Sequence, residues 1–516
     1  MKKTILICAM LPFLLLTGCK DYLLQEPITS QATDQLLSDY NGLNNATFGA
    51  YARLANNNWY GGTYFLLDAD TRAGVASWPV SSNFQSGRMM TGFAMNYNEN
   101  STSGLWTNAY FVIAAANNVL ESIESIGPEL VSSIVTQQDL DNLKAECLFL
   151  RALSHFDLIR IYSSNANPEL GVPVILKTDR SSTEQPSRNT LREVYDQIEK
   201  DLEDAESLIS DDYVRSGVAD PNAVVNKWVI KALLARVYLY DASFSGDDAA
   251  KFQTAADYAT EVIESGKYRM WTADEYSTVW GNDVGSGEVI FEVYQVQANY
   301  YDAYWEAPTH MTNPGGYADV CASKSLVEFI QQDPNDVRGF TGIRDVDQEG
   351  AMFCTDAEQL SGGELWPMKY PGKGNSTDIS GTPDNNNSIV LRLSEMYLIR
   401  SEAQLHGAVI SGTNADSDLN VVRSNRNAAF KAASYQSVWE EYKIEFCFEG
   451  HHWFNTARLA TCSNHNSYPF AEIVYGTDEV TRRGRDGIAQ DSHFWALPIS
   501  RSEMDANVSL VQNPGY

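Results

Sequence analysis

Positive charge is scarce in this sequence: 37 Lys and Arg stand against 67 Asp and Glu, a formal net charge of −30. A chain this acidic argues against a nucleic-acid partner, because phosphate binding needs a basic surface. Beyond the first 18 residues no segment approaches the roughly 20 apolar residues of a membrane-spanning helix. The seven cysteines include no C-x-x-C pair, which leaves zinc ribbons and thioredoxin-like chemistry unsupported. Also missing are H-E-x-x-H, G-x-S-x-G and G-x-x-x-x-G-K, and with them the usual signatures of zinc proteases, α/β-hydrolases and P-loop enzymes. His451 and His452 are adjacent, and neighbouring helix residues point about 100° apart, which ill suits a shared metal. Asp345, Asp347 and Glu349 offer oxygen ligands for calcium, but the full EF-hand spacing is absent and the stretch reads as an exposed acidic loop. Among 67 acids, paired carboxylates carry no information about glycosidase chemistry. No cofactor, metal or catalytic constellation is expected.

What is present begins with an address. Lys2 and Lys3 precede the twelve-residue apolar run Ile5 to Leu16, a length that suits a secretory signal. The run ends in Leu16-Thr17-Gly18-Cys19, which resembles a bacterial lipobox. Residues 1–18 are therefore expected to be a lipoprotein signal peptide, with Cys19 acylated and residues 19–516 forming a tethered body. Several acyl chains give stable anchoring, at about 0.8 kcal/mol per buried methylene. Cys147 and Cys447 lie in amphipathic patterns and read as buried thiols. Cys321 and Cys354 flank a loop-rich stretch, and the sequence leaves open whether they pair in an oxidising compartment.

Along the body, long helical stripes recur with small residues on the seam. Ala145, Phe149, Ala152, Phe156 and Ile159 fall on one helix face. Trp228, Ala232, Ala235, Leu239 and Ala242 form a second. Ala255, Ala259 and Val262 form a third, stopping at Gly266. Leu391, Ser394, Leu398, Ser401 and Leu405 are expected on one helix from about Ser388, with Gly407 as its stop. Leu191 to Leu208, and Trp106 toward Ile126, supply two more. Small seam residues allow close helix approach, so the pattern suggests tetratricopeptide-like pairs without a strict 34-residue period. Trp106, Trp228, Trp271, Trp280 and Trp439 read as core. Glu288 to Tyr294 is the clear strand-like run.

Between the helices lie long polar, aromatic stretches, chiefly 56–103 and 274–387, with a third from Cys462 to Asp491. Loops this long are usually functional or disordered, and their aromatic content argues for function. Sugar rings present apolar C–H faces that lie on Trp or Tyr, while their hydroxyls need planar polar partners. The first stretch offers Trp59, Tyr64 and Trp78 beside Asp68 and Asn83. The second offers Tyr301, Tyr304 and Trp305 beside Asn299 and Asp302. These are the candidate ligand-binding residues, with Trp78 and Trp305 foremost.

Motifs in order then resemble one family. RALSHFDLIRIY with GVPVIL, RNTLREVYDQIEKDLEDA, KALLARVYLY, GEVIFEV, SIVLRLSEMYLIRSEAQ, LNVVRSNRN, EYKIEFCFEGHHWFNTAR and the closing FWALPISRSEMDANVSLVQNPGY resemble the SusD/RagB family across nearly the whole chain. HHWFNTAR departs from the family's "R..DL.R": an arginine and an aspartate are missing. The resemblance implies a mostly α fold, with about four tetratricopeptide-like helix pairs as scaffold and a loop-rich, irregular ligand-facing part. It further implies a surface-exposed outer-membrane lipoprotein that binds a glycan and delivers it to a SusC-like TonB-dependent transporter. A peptide-binding, RagB-like member is the alternative, and a secreted glycan hydrolase a more distant one.

Overall fold

The computed structural model describes residues 36–460 and 492–516, apart from 63, 78, 80–88, 101–103, 179–184, 277, 283, 296–306, 314–316, 344–352, 356–364 and 374–384. Its main helices are α1 (Tyr40–Leu54), α2 (Leu66–Arg72), α3 (Leu105–Leu130), α4 (Gln137–Tyr162), α5 (Leu191–Leu208), α6 (Lys227–Phe244), α7 (Ala249–Glu264), α8 (Leu393–Leu405), α9 (Ala415–Ser424), α10 (Tyr435–Glu445) and α11 (His452–Ala460).

Several helices start where the sequence supplies a cap. Thr136 with Asp139 opens α4 and Thr190 with Glu193 opens α5, both as reciprocal capping boxes. Asn226 and Asp248 accept the first free N–H groups of α6 and α7. These caps satisfy donors that the helix itself leaves unpaired. After α7, Gly266 takes a φ of +66°, and after α8 Gly407 takes +97°, a left-handed turn that glycine adopts without steric cost.

The helices pack serially. α3 lies on α1 and α4, α5 on α4 and α6, α7 on α6 and α8, and α9 and α10 close on α8. The fold is mostly α, as expected. The seam residues Ala145, Ala152, Ala232, Ala235, Ala242, Ala255 and Ala259 are all completely buried, which is what lets successive helices approach. α6 is buried on every side from Val229 to Ser243. The polar residues in that span are paired: Lys231 with Glu206 at 2.7 Å, and Arg236 with Glu395 through two bonds of 2.6 Å.

One boundary differs from expectation. Ser388 to Arg392 is a strand, β7, antiparallel to β2 (Val289–Val293), with Val293 opposite Ser388 and Val289 opposite Arg392. The helix begins only at Leu393. Ile389, Val390 and Leu391 form a short β-branched and apolar run that fills the ladder beside β2, while Ser394, Leu398 and Ser401 keep the buried face predicted for them. Trp228 and Trp439 are half-buried, not core. Trp228 lies in the first turn of its helix, and the Trp439 indole N–H reaches Thr456 at 3.4 Å. Trp106, Trp271 and Trp280 are buried as expected.

Around the β2–β7 pair lies a charged centre. Arg426 bonds Glu288 at 2.6 Å and Glu445 at 2.7 Å. Arg338 bonds Asp336, Glu441 and Glu445 at 2.6–2.8 Å. Arg392 bonds Glu288, Glu445 and Glu449, and Lys369 bonds Glu449. Arg423 joins through Glu441 at 2.6 Å. Cations and carboxylates are equal in number, and all are buried. Burial alone would raise the Glu445 carboxyl, but Arg426, Arg392 and Arg338 hold it well below the usual carboxylate range.

Candidate ligand-binding surface

The two aromatic stretches meet. Residues Ala76–Ser77 (β1) pair antiparallel with Cys321–Ala322 (β3), Ser77 opposite Cys321. The backbone N–H of Ser323 donates to Val75 at 2.9 Å, and the Cys321 thiol donates to the Ser77 carbonyl at 3.3 Å. Farther back, Ser388 Oγ donates to the Tyr60 carbonyl, and Gln295 Nε2 reaches the same oxygen at 3.5 Å. The fold therefore brings segments more than 200 residues apart to one place.

Not every candidate within them faces outward. Trp59 is fully buried, and its indole N–H donates to Asp157 at 2.7 Å. The Tyr60 hydroxyl donates to the same carboxylate oxygen at 2.7 Å. A buried indole needs such a partner, and Asp157 comes from the FDL of the family-like RALSHFDLIRIY. Trp59 is thus a core residue. Asp68 is also buried, held by Arg72 Nε at 3.2 Å and by the Tyr97 hydroxyl. Burial raises its carboxyl above the usual range despite Arg72, and this packing makes it a structural group. Tyr64 is half-buried in the turn before α2. Trp78, Asn83, Asn299, Tyr301, Asp302, Tyr304 and Trp305 lie outside the described residues, as do Cys19 and Asp345 to Glu349. Cys354 belongs to a short strand whose side chains are outside them too. Cys147 and Cys447 are buried thiols, pushed up to about 12 by burial.

A cavity of about 260 Å³ lies where the two stretches leave the scaffold. Phe48, Tyr51 and Leu54 of α1 form one wall, Phe291 to Tyr294 a second, and residues 217–224 a third. Leu54 and Tyr294 stand close before the 56–103 and 296–306 segments in sequence. Nothing in the sequence marks these walls, and the cavity exists only once α1 and β2 are juxtaposed.

The motif residues that carry the family resemblance are elsewhere. Arg151 grips Asp201 with two bonds of 2.7 Å and Asn117 with a third of 2.8 Å. Glu441, Glu445 and Glu449, from EYKIEFCFEG, and Arg423 and Arg426, from LNVVRSNRN, build the charged centre. Asn513 of the closing QNPGY donates to the carbonyls of Tyr162 and Leu497, at 2.9 and 2.6 Å. Gly515 adopts a φ of +93°, and a Cβ there would meet the His493 ring at 2.6 Å. His452 and Asn455 occupy the positions of the missing arginine and aspartate. Burial lowers His452 well below its ordinary value, and Asn455 accepts from Tyr240 at 3.2 Å. A neutral imidazole and an amide stand at these two positions, so neither buries a charge.

Serial helices with loop-borne segments gathered at one place define a helical-array scaffold of the SusD type. A family profile described as "Starch-binding associating with outer membrane" matches residues 21–239, and the SusD family profile matches residues 355–516. A SusD-like protein, P2, of Formosa agariphila is 23% identical over 538 residues, covering 98% of each chain. Among solved structures, a SusD superfamily protein of Bacteroides thetaiotaomicron superposes with a TM-score of 0.72 at 25% identity, covering 92% of this chain and 100% of that one. A laminarin-binding SusD-like protein superposes with a TM-score of 0.66 at 20% identity, covering 93% and 100%. The chain belongs to the SusD/RagB family.

Proposed function

We propose that this protein is a cell-surface lipoprotein that binds an oligo- or polysaccharide and hands it to a SusC-like TonB-dependent outer-membrane transporter, without turning it over. The observation that carries this reading is the match of SusD-family profiles to residues 21–239 and 355–516, joined to a likeness of fold with a laminarin-binding protein over 93% of this chain. The pairing of β1 with β3 supports it, since Trp78 directly follows β1 in sequence and the second aromatic stretch shortly precedes β3. Among the described residues no helix is long and apolar enough to cross a membrane, so passage of a solute needs a partner pore. Residues 1–18 act as the lipoprotein signal and Cys19 as the anchor in this reading.

The deciding experiment is calorimetric titration of the mature protein with laminarin, starch, other plant, host and microbial glycans, and a peptide library. Glycan binding in the range of about 1 µM to 1 mM is expected, or about −8 to −4 kcal/mol. Trp78→Ala and Trp305→Ala should each cost about 2 kcal/mol or more, as interface anchors do. Peptide binding with no glycan binding refutes the ligand class. Membrane retention of Cys19→Ala refutes the anchor, and repeated isolation without a barrel at native expression refutes the partner.

A further inference from the structure

The cavity between α1, residues 217–224 and β2 has walls of two kinds. Phe48, Tyr51, Phe291 and Tyr294 supply ring surface, with Val218 between them. Two rings are held by cations: the Arg215 guanidinium lies 4.0 Å from the Phe48 ring centre, and the Lys373 ammonium 4.3 Å from that of Tyr294. The remaining wall is a pair of carboxyl groups, Asp220 and Glu292, bonded to one another and almost fully buried. Asp220 is fixed by the Asn222 N–H at 2.8 Å and by Asn387 Nδ2 at 3.1 Å, and Glu292 by the Gly285 N–H at 2.6 Å. Burial, with Asp220 alongside, raises the Glu292 carboxyl well above the usual range, so the pair offers both a donor and acceptors. Ala52, Gly217 and Ala219 are exposed at the mouth.

We propose that this cavity receives a single sugar ring, a terminal or branch unit of the bound glycan, with its C–H faces on the aromatic walls and a hydroxyl on the Asp220–Glu292 pair. The assignment rests on the reading of the chain as a glycan-binding protein. Size supports it. A dry cavity of roughly 150 Å³ accepts benzene, so about 260 Å³ accommodates one six-membered ring with its hydroxyls. Chemistry supports it as well: an aliphatic side chain from a protein partner would set only carbon against the acid pair, where a sugar hydroxyl can add a hydrogen bond. Position adds a third argument, because the remainder of a chain leaving the mouth starts beside the ends of both aromatic stretches.

The test is titration of the full mature chain with laminarin, soluble starch and a wider glycan panel, in wild type and two variants. Val218→Trp fills the cavity from a segment outside any helix or strand, and Tyr294→Ala removes a ring. Each is expected to weaken the glycan that wild type binds at least tenfold, with an unchanged melting temperature. Phe430→Ser, at an exposed ring away from the cavity walls, should bind as wild type does. If Val218→Trp lowers the melting temperature, Tyr294→Ala decides. Undiminished binding in the folded variants overturns the cavity assignment and leaves glycan binding standing. A wild type that binds no glycan of the panel overturns both.

Discussion

Helices α3 to α7 meet chiefly on alanine, leucine and aromatic side chains, with separate ion pairs such as Arg151–Asp201, whereas the region around β2, β7, α9 and α10 meets on a shared network of arginine and glutamate. In the first region contact area and shape do the work, and each helix depends on its immediate neighbours. In the second, each glutamate serves two or three cations drawn from distant parts of the chain: Glu445 touches Arg338, Arg392 and Arg426. An apolar seam tolerates gradual change, because a lost methylene costs only its own burial. A shared carboxylate does not, because its removal strands several charges at once. The two regions should therefore differ in how steeply they respond to a single substitution.

The sharpest break is Glu445→Gln. It leaves three buried arginines short of a negative partner, and we expect a loss of about 3–5 kcal/mol, the usual cost of breaking a buried pair, read from urea unfolding. A loss under 1 kcal/mol would mean that the charged centre behaves like the seams.

Next comes Asp70, buried against α11's entry, where the Gly450 N–H approaches it at 3.4 Å. Burial raises its carboxyl to about 8, against the pull of Gly450 and Lys369. The folded protein thus keeps a proton that the unfolded chain releases near pH 4. Stability from this group is therefore fully present below about pH 4 and falls as pH rises toward 8. Asp70→Asn should flatten that slope, gaining about 2–4 kcal/mol at pH 8 and nothing near pH 4, since a tenfold change in proton affinity is about 1.4 kcal/mol. Parallel pH–stability curves for the two proteins would contradict it.

In the apolar region the effects are smaller. Ala235→Leu overpacks the α6 seam and should cost about 1–3 kcal/mol, and an unchanged melting temperature would argue against close helix approach there. Thr190→Ala removes one half of the α5 capping box and should cost about 1 kcal/mol, with binding untouched.

The same contrast explains what could be read in advance. A seam repeats every three or four residues, so α4 to α7 were legible from spacing alone, with Gly266 as the stop of α7. Ser388 to Arg392 was misread because its apolar spacing continues smoothly into α8; only the distant partner β2 makes it a strand. The charged centre was invisible as a network, since Glu288, Arg338, Lys369 and Arg392 share no local pattern. Trp59 and Asp68 sat among polar and glycine-rich neighbours that resemble a ligand loop. What holds them is Asp157 on α4 and Tyr97, 29 residues farther along the same stretch. The cavity walls escaped notice for the same reason, since an aromatic on a helix stripe looks alike whether it meets another helix or an empty space.

The closing residues of the chain have a consequence in time. Asn513 bonds the carbonyl at the end of α4, Arg188 reaches the Val511 carbonyl and the Asn513 side chain at 3.0 and 2.8 Å, and Leu497 donates to Ile161 at 2.8 Å. These partners are separated by more than 300 residues of sequence, and such closures form late and slowly. While the chain is made from its N-terminus, the end of α4 stays unfinished until residues 497–513 arrive, so the fastening of this helix end lags far behind its synthesis.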